Sequence, residues 1–524
     1  MIINNRQVSI CDCTLRDGGY YTNWDFPSEM VEKYLKAMNA LPIDFVELGY
    51  RSLDASTYHG EYNYLPRYVL QKCKQLCPDK KLAFMINLKE VNEESIKPLL
   101  VQVSEYVAMV RLATRPEDVE KANRVAKIIK AYGLDVSINI MYFSTWVKDI
   151  PFAHFFQGTE QYVDFVVMVD SYGSVLPEQI GPCVEQLRAN FKGKLGFHGH
   201  NNMELAFANT LAAIHAGVDS IDATISGMGR GAGNLRMELL LTYCTKYDVS
   251  VSLNTLMDTL EDFERLRKQY DWGTNLPYMI SGCNSLPQKD IMEWITMKRY
   301  STSSIVQRLQ AHIQPHNVLE ASYENVPIVE KGGKLALLIG GGSSVKEHID
   351  AILELIQRDA ASMQLVFSST KHLSLFDSLP QEVERYIYLV GIEGKRLERQ
   401  MKSLRSTDKV IIFKQALPME TYIPESIRSQ VFTLPHDEQI DLGSIYVESP
   451  LYMSIKIAQN LHVSKMYLVG YDGYDSDVQG NTYNLMEENQ SVIDYFKGSC
   501  DLCSLLPTKY RHIQEKSLYS MLAL

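Results

Sequence analysis

The sequence has no apolar run approaching the roughly 20 residues that a membrane-spanning helix needs. Its first ten residues, MIINNRQVSI, lack the basic-then-apolar layout of a secretory signal. A cytoplasmic protein is therefore expected. Basic blocks are also missing. The 52 Lys and Arg residues against 63 Asp and Glu leave a net charge of −11, spread without long runs of one sign. That distribution argues against nucleic acid as a partner. Cysteine is sparse and odd in number, with nine residues scattered along the chain, which argues against a disulfide framework. Cys500 and Cys503 have zinc or redox spacing, but no second pair completes a zinc site. They are read as packing residues, as are Cys73 and Cys77.

What the chain does have is enough length for several cores. Its 524 residues suggest two to four domains. Eight apolar, β-rich runs alternate with helical patterns, at 8–12, 45–49, 82–86, 107–112, 136–141, 165–169, 195–198 and 220–225. Between them, Met30, Val31, Tyr34, Leu35 and Met38 recur at helical spacing, as do Leu205, Ala206, Ala208, Leu211 and Ala212. Eight such repeats predict a (β/α)8 barrel over residues 1–245, the TIM-barrel class of α/β protein, with a doubly wound sheet as the alternative. Residues 246–315 read as a helical extension, with Leu256, Leu260, Phe263 and Leu266 on one face and a loop at 272–278. A linker is expected at 316–334. Residues 335–524 read as a second, open, Rossmann-like α/β domain.

In a barrel, reactive groups gather where strands end. Arg16 and Asp17 follow the first apolar run, with Gly18 and Gly19 expected to turn the chain sharply. His198 and His200 end the seventh, two apart and so on one side of a strand. Asp17, His198 and His200 can then converge on one divalent cation with open positions for water and substrate. Such a cation suits a 2-oxo acid, whose keto oxygen gathers charge as an enolate forms. Arg16 adds a guanidinium where that charge grows. Carboxylate and imidazole donors suit Mn²⁺ or Mg²⁺ first, and Co²⁺ or Zn²⁺ also.

These residues resemble the DRE-TIM metallolyase superfamily, which holds 4-hydroxy-2-oxovalerate aldolase, 3-hydroxy-3-methylglutaryl-CoA lyase and isopropylmalate synthase. DCTLRDG at 12–18 is similar to its first-strand signature, GFHGHNN at 196–202 to its seventh-strand metal motif, and GMGRGAGN at 227–234 to its eighth-strand loop. FVELGY at 45–50 and VDSYG at 169–173 are similar to its second- and sixth-strand segments. The resemblance spans about residues 7–245 and is nearest the 4-hydroxy-2-oxovalerate aldolase branch. It implies Asp17, His198 and His200 as metal ligands, with Asn234 adding to the metal's surroundings, and Arg16 as the enolate stabiliser. Asp170 and Ser171 are implied as contacts for the 2-oxo acid carboxylate, and Glu47 as a further substrate contact. The aldolase branch carries a histidine base three residues after the metal aspartate, and this chain has Tyr20 there. Tyr20 is expected to shape the pocket or to move the aldol hydroxyl proton once a neighbouring cation lowers its pKa.

In the second domain, Gly340, Gly341, Gly342 and Ser343 follow an apolar run and could cradle a phosphate. They do not form a dinucleotide fingerprint. With the segment at 465–474 they faintly resemble Rossmann-like domains of surface-glycan enzymes, which implies a nucleotide-linked sugar as ligand. The expected activity is a metal-dependent carbon–carbon lyase or aldolase joining a pyruvate-like enolate to an aldehyde, such as a sugar of surface-polysaccharide biosynthesis, in a homo-oligomer. Claisen-type condensation with an acyl-CoA and a non-catalytic scaffold are the alternatives.

Overall fold

The protein is described from a computed structural model over residues 2–3, 6–296, 300–313, 323–326, 335–413, 421–434, 449–474 and 481–523. It forms two compact units, Met1–Met292 and Glu293–Leu524. The expected linker lies outside the described residues except at 323–326, where the Val326 amide donates to Thr433 O at 2.8 Å.

The first unit is built on eight parallel strands: β1 (Ser9–Asp12), β2 (Phe45–Tyr50), β3 (Lys81–Asn87), β4 (Met109–Thr114), β5 (Asp135–Ile140), β6 (Phe165–Asp170), β7 (Lys194–Gly199) and β8 (Ser220–Ala223). Each pairs with the next, and β8 pairs back onto β1 through Ser220–Ser9 to Ala223–Asp12, closing a barrel. The (β/α)8 expectation holds and the open sheet is excluded. The strands read as apolar runs because both of their faces are buried. Inside, Cys11, Phe45, Ala83, Met109, Phe165 and Val167 pack together, so the barrel is filled rather than hollow. Outside, the helix Ser28–Ala40 lays Val31, Tyr34, Leu35 and Met38 against the strands. Burial of each such side chain stabilises by about 2 kcal/mol.

Two local readings change. The helix Ala206–Ala216 buries Ala206, Asn209, Thr210, Ala213 and Ile214, while Ala208 is exposed and Leu211 and Ala212 are half-buried. The reason is polar. Asn209 Nδ2 donates to Val175 O at 2.7 Å and Thr210 Oγ1 to Ala206 O at 2.8 Å, so both side chains find a partner for a donor inside. The expected loop at 272–278 gives way to a helix at Leu276–Cys283. Pro277 sits in its first turn, where a missing N–H costs nothing, and the Asn275 side chain accepts from the Tyr278 amide at 3.1 Å.

The second unit holds an eight-stranded, all-parallel open sheet. Its strands are β9 (Leu335–Ile339), β10 (Met363–Phe367), β11 (Arg385–Tyr388), β12 (Lys409–Phe413), β13 (Val431–Leu434), β14 (Lys465–Val469), β15 (Leu502–Ser504) and β16 (Gln514–Glu515). Their order is 13-12-11-10-9-14-15-16, so the chain reverses direction across the sheet between β9 and β14. Apolar clusters cover both faces, one around Leu337 and Ile339, the other around Ala336 and Leu338.

Candidate active site

The site grows from the end of β1. The buried Asp12 carboxylate accepts the Thr14 amide and the Thr14 hydroxyl, each at 2.9 Å, and the Tyr34 hydroxyl. Burial nevertheless raises its pKa to about 6. Thr14 Oγ1 in turn accepts from Ile225 N at 2.9 Å, tying β1 to the segment after β8. From this anchor the chain enters a helix, α1 (Thr14–Thr22), which contains Gly18 and Gly19. The expected sharp turn is absent. The glycines serve close packing instead: a Cβ on Gly18 would press on the Met228 side chain, and one on Gly19 would enter the Trp24 ring.

Arg16 and Asp17 therefore project from the first turns of α1, both buried. The Arg16 guanidinium pairs with the Asp17 carboxylate, and its Nε donates to Glu47 Oε2 at 2.8 Å. Arg111 on β4 reaches the same Glu47 oxygen at 3.1 Å and Asp222 Oδ2 on β8 at 2.5 Å. Glu47 is fully buried beneath Arg16. Expected as a substrate contact, it lies where it orients the guanidinium.

His198 and His200 have ring centroids 5.2 Å apart. His198 Nδ1 lies 2.9 Å from Asp222 Oδ2, and its Nε2 lies 3.5 Å from Asp17 Oδ2. The backbone of His200 bridges to Asn234, which brings the loop after β8 over the end of β7. Asn234 Nδ2 donates to Asp17 Oδ2 at 2.7 Å. Burial, then the charges of His198, Arg230 and Arg16, hold the His200 imidazole well below its ordinary pKa and therefore neutral. Burial alone would raise Asp222, but Arg111 and His198 outweigh it and keep its carboxyl well below the usual range.

Besides Glu47 Oε1 beneath Arg16, three buried side-chain atoms here have no hydrogen-bond partner among the described residues: His198 Nε2, His200 Nδ1 and Asn234 Oδ1. Buried polar atoms are rarely left so. Grouped around a carboxylate, they match the donor set of a divalent cation, so the residues fit a metal. Among the described residues, the His, Cys, Asp and Glu grouping whose donors all lie within 4.8 Å of one another is a different one, Cys11, Cys13 and Asp222. It does not fit one. Arg111 Nη1 lies 3.2 Å from Cys13 Sγ, and burial pushes the Cys13 thiol well above its usual pKa, keeping it protonated.

Tyr20 faces this cluster from α1, and its hydroxyl meets that of Tyr50, the last residue of β2, at 2.8 Å. Its ring packs edge-on to Trp24, with centroids 4.9 Å apart. Burial, then Tyr20, pushes the Tyr50 phenol well above its ordinary pKa. The cation lying over the Tyr20 ring is Arg230, at 4.4 Å from the centroid. At the end of β6, the Asp170 carboxylate accepts the Ser174 amide at 3.1 Å and the Val175 amide at 3.2 Å. Burial raises it to about 6. Ser171 Oγ accepts from Tyr142 N at 2.9 Å. Asp170 thus holds its own loop. Sequence reasoning missed Arg111, Asp222, Tyr50 and Arg230. Tyr50 and Arg230 stand inside the quoted motifs, so a signal for those two was present.

In the second unit, the Gly340–Ser343 segment is closed from within. The amides of Gly340 and Gly342 donate to Val469 O and Gly470 O, each at 2.9 Å, and the Ser344 amide donates to Asp472 Oδ2 at 3.1 Å. A Cβ on Gly340 or Gly342 would strike the Gly470 backbone. Gly340 and Gly342 permit that close approach, and the Asp472 carboxylate takes the Ser344 amide.

Residues 7–263 match the family model described as HMGL-like. The chain is 26% identical over 315 residues to oxaloacetate decarboxylase of Mycobacterium tuberculosis, covering 59% of this chain and 92% of that protein. It is 29% identical over 262 residues to 4-hydroxy-2-oxovalerate aldolase of Carboxydothermus hydrogenoformans, covering 49% of this chain and 77% of that protein. Among solved structures, it is 44% identical to the N-terminal domain of a candidate aldolase from Bacteroides vulgatus. That match has a TM-score of 0.54 and covers 57% of this chain and 99% of the other.

Proposed function

Because the chain belongs to the HMGL-like family of metal-dependent aldolases and lyases, we propose that its barrel makes or breaks a carbon–carbon bond between a pyruvate-like 2-oxo acid and an aldehyde. The observation that carries this reading is the set of three unpartnered buried atoms, on His198, His200 and Asn234, grouped with the Asp17 carboxylate beside Arg16. Asp17, His198 and His200 would hold the cation, with Asn234 beside it. Bound there, a divalent cation supplies Lewis-acid polarisation of a keto oxygen.

The remaining chemistry belongs to side chains. Arg16 is oriented through Nε by Glu47, and its charge lies next to Asp17, where negative charge gathers on the substrate oxygen. A guanidinium stays protonated at any working pH, so Arg16 stabilises charge and does not carry the proton. The paired hydroxyls of Tyr20 and Tyr50 lie within reach of each other and can pass a proton to or from the aldol hydroxyl. The Ser171 hydroxyl, whose oxygen accepts from Tyr142 N, keeps its own proton to donate to the 2-oxo acid carboxylate.

The test is solvent deuterium exchange into the methyl group of pyruvate in the presence of Mn²⁺ or Mg²⁺, followed by NMR. Wild type exchanges; Asp17→Asn and Arg16→Ala do not. Equal behaviour of all three would remove the assignment. Release of free thiol from acetyl-CoA would instead favour condensation.

A further inference from the structure

We propose that Arg230 binds a negatively charged group, carboxylate or phosphate, carried by the second substrate, so that the acceptor aldehyde is anionic. The inference deepens the preceding reading and rests on it for the word acceptor.

Arginines at this site otherwise have acids. Arg16 pairs with Asp17 and Glu47, and Arg111 with Glu47 and Asp222. Arg230 is different. It is half-buried at the mouth, and no carboxylate among the described residues lies within ion-pair distance of it. Its guanidinium carbon lies over the Tyr20 ring at 4.4 Å from the centroid. A cation–π contact leaves the N–H edge of a guanidinium free to donate in its plane. Withdrawing such a charge from water without a counter-charge is costly, and an incoming oxyanion offsets that cost.

The loop does not let Arg230 swing out freely. Gly231, next to it, adopts φ +61° and accepts the Gly273 amide at 3.0 Å, and the Gly233 amide donates to Arg230 O at 3.1 Å. The residue is thus fixed over Tyr20, on the side of the site where the Tyr20 and Tyr50 hydroxyls meet. In the proposed reaction the 2-oxo acid lies by Arg16 and Asp17. The group that reaches the tyrosines, and so Arg230, is the acceptor.

Two measurements test this, and the first needs no turnover. Succinate and inorganic phosphate are titrated against the full chain and thermal unfolding is followed. At least one of the two anions raises Tm in wild type, and which one does so distinguishes carboxylate from phosphate. The rise is lost in Arg230→Met, retained in part in Arg230→Lys, and kept in Arg236→Met, which removes a cation from the separate cleft lined by Asn201, Arg236, Trp272 and Thr274. An equal rise in Arg230→Met, a loss in Arg236→Met, or no rise in wild type overturns the proposal.

The second measurement is a ratio taken within each protein, so a general loss of activity cancels. kcat/KM is compared for succinic semialdehyde against butanal, and for glyceraldehyde 3-phosphate against glyceraldehyde, with pyruvate as partner. Wild type prefers one charged acceptor by ~10–100-fold, the range of a charge-assisted hydrogen bond, and Arg230→Met brings the ratio near one. An unchanged ratio overturns the proposal. Failure of the aldolase reading shows separately, as absence of pyruvate methyl exchange in wild type.

Discussion

His198 Nδ1 and Asp222 Oδ2 stand 2.9 Å apart across β7 and β8, and Arg111 holds the same Asp222 oxygen from β4 at 2.5 Å. The carboxylate fixes the imidazole so that Nε2 turns toward Asp17. Histidine ligands oriented in this way lose ~10–100-fold in metal affinity when the orienting acid is removed. Asp222→Asn is accordingly expected to weaken Mn²⁺ binding by ~10–100-fold. Competition with a fluorescent chelator measures it, with circular dichroism to show that the barrel persists.

Arg16 acts by charge and by shape. Arg16→Lys keeps the charge but loses the fork that joins Glu47 to Asp17. The pyruvate exchange rate is expected to fall by ~10²–10³-fold, the effect of losing one preorganised donor. The loss should fall on kcat more than on KM.

Gly19→Ala sets two magnitudes against each other. Replacing a glycine inside a helix by alanine gains about 1 kcal/mol of helix propensity. Here the added methyl would enter the Trp24 ring, and overpacking of a buried contact costs about 1–3 kcal/mol. Packing wins, so Tm falls, and the Trp24 emission shifts as its surroundings loosen. A rise in Tm would show that Trp24 moves aside at no cost.

Asp12 makes stability depend on pH. Its carboxyl moves from 3.8 to about 6 on folding because it is buried. The native state therefore holds the proton where the unfolded chain has released it. This contribution is fully present below pH 3.8 and is lost as pH rises through about 6. A shift of about two units corresponds to about 3 kcal/mol. The stability of Asp12→Asn minus that of wild type, from urea unfolding, should rise by that order between pH 4 and pH 7. A flat difference would mean that Asp12 titrates alike in both states.

Much of the first unit was legible because its strands are buried on both faces and announce themselves as apolar runs. Arg16, Asp17, His198 and His200 were legible because a barrel delivers its strand ends to one mouth. The supporting charges were not. Arg111 and Asp222 sit inside the barrel and find each other across 111 residues of sequence, while Glu47 was legible as a site residue but not as the support of Arg16. Nothing local marks such a pair. The glycine pair at 18–19 misled as a turn because it serves close packing, and the partner of Gly18, Met228, lies 210 residues away. In the second sheet, Val431–Leu434, Leu502–Ser504 and Gln514–Glu515 escaped notice because strands of two to four residues carry too little pattern.

The pairing of β8 with β1 has a consequence for how the protein comes into being. Asp17 leaves the ribosome some 180 residues or more ahead of His198, His200 and Asn234. They become neighbours only when the last staves of the cylinder dock against the first. A nascent chain, or any fragment ending before residue 234, lacks a complete set of donors. An ion held by those donors would span the joint where the cylinder seals, so that its binding and closure of the barrel are coupled.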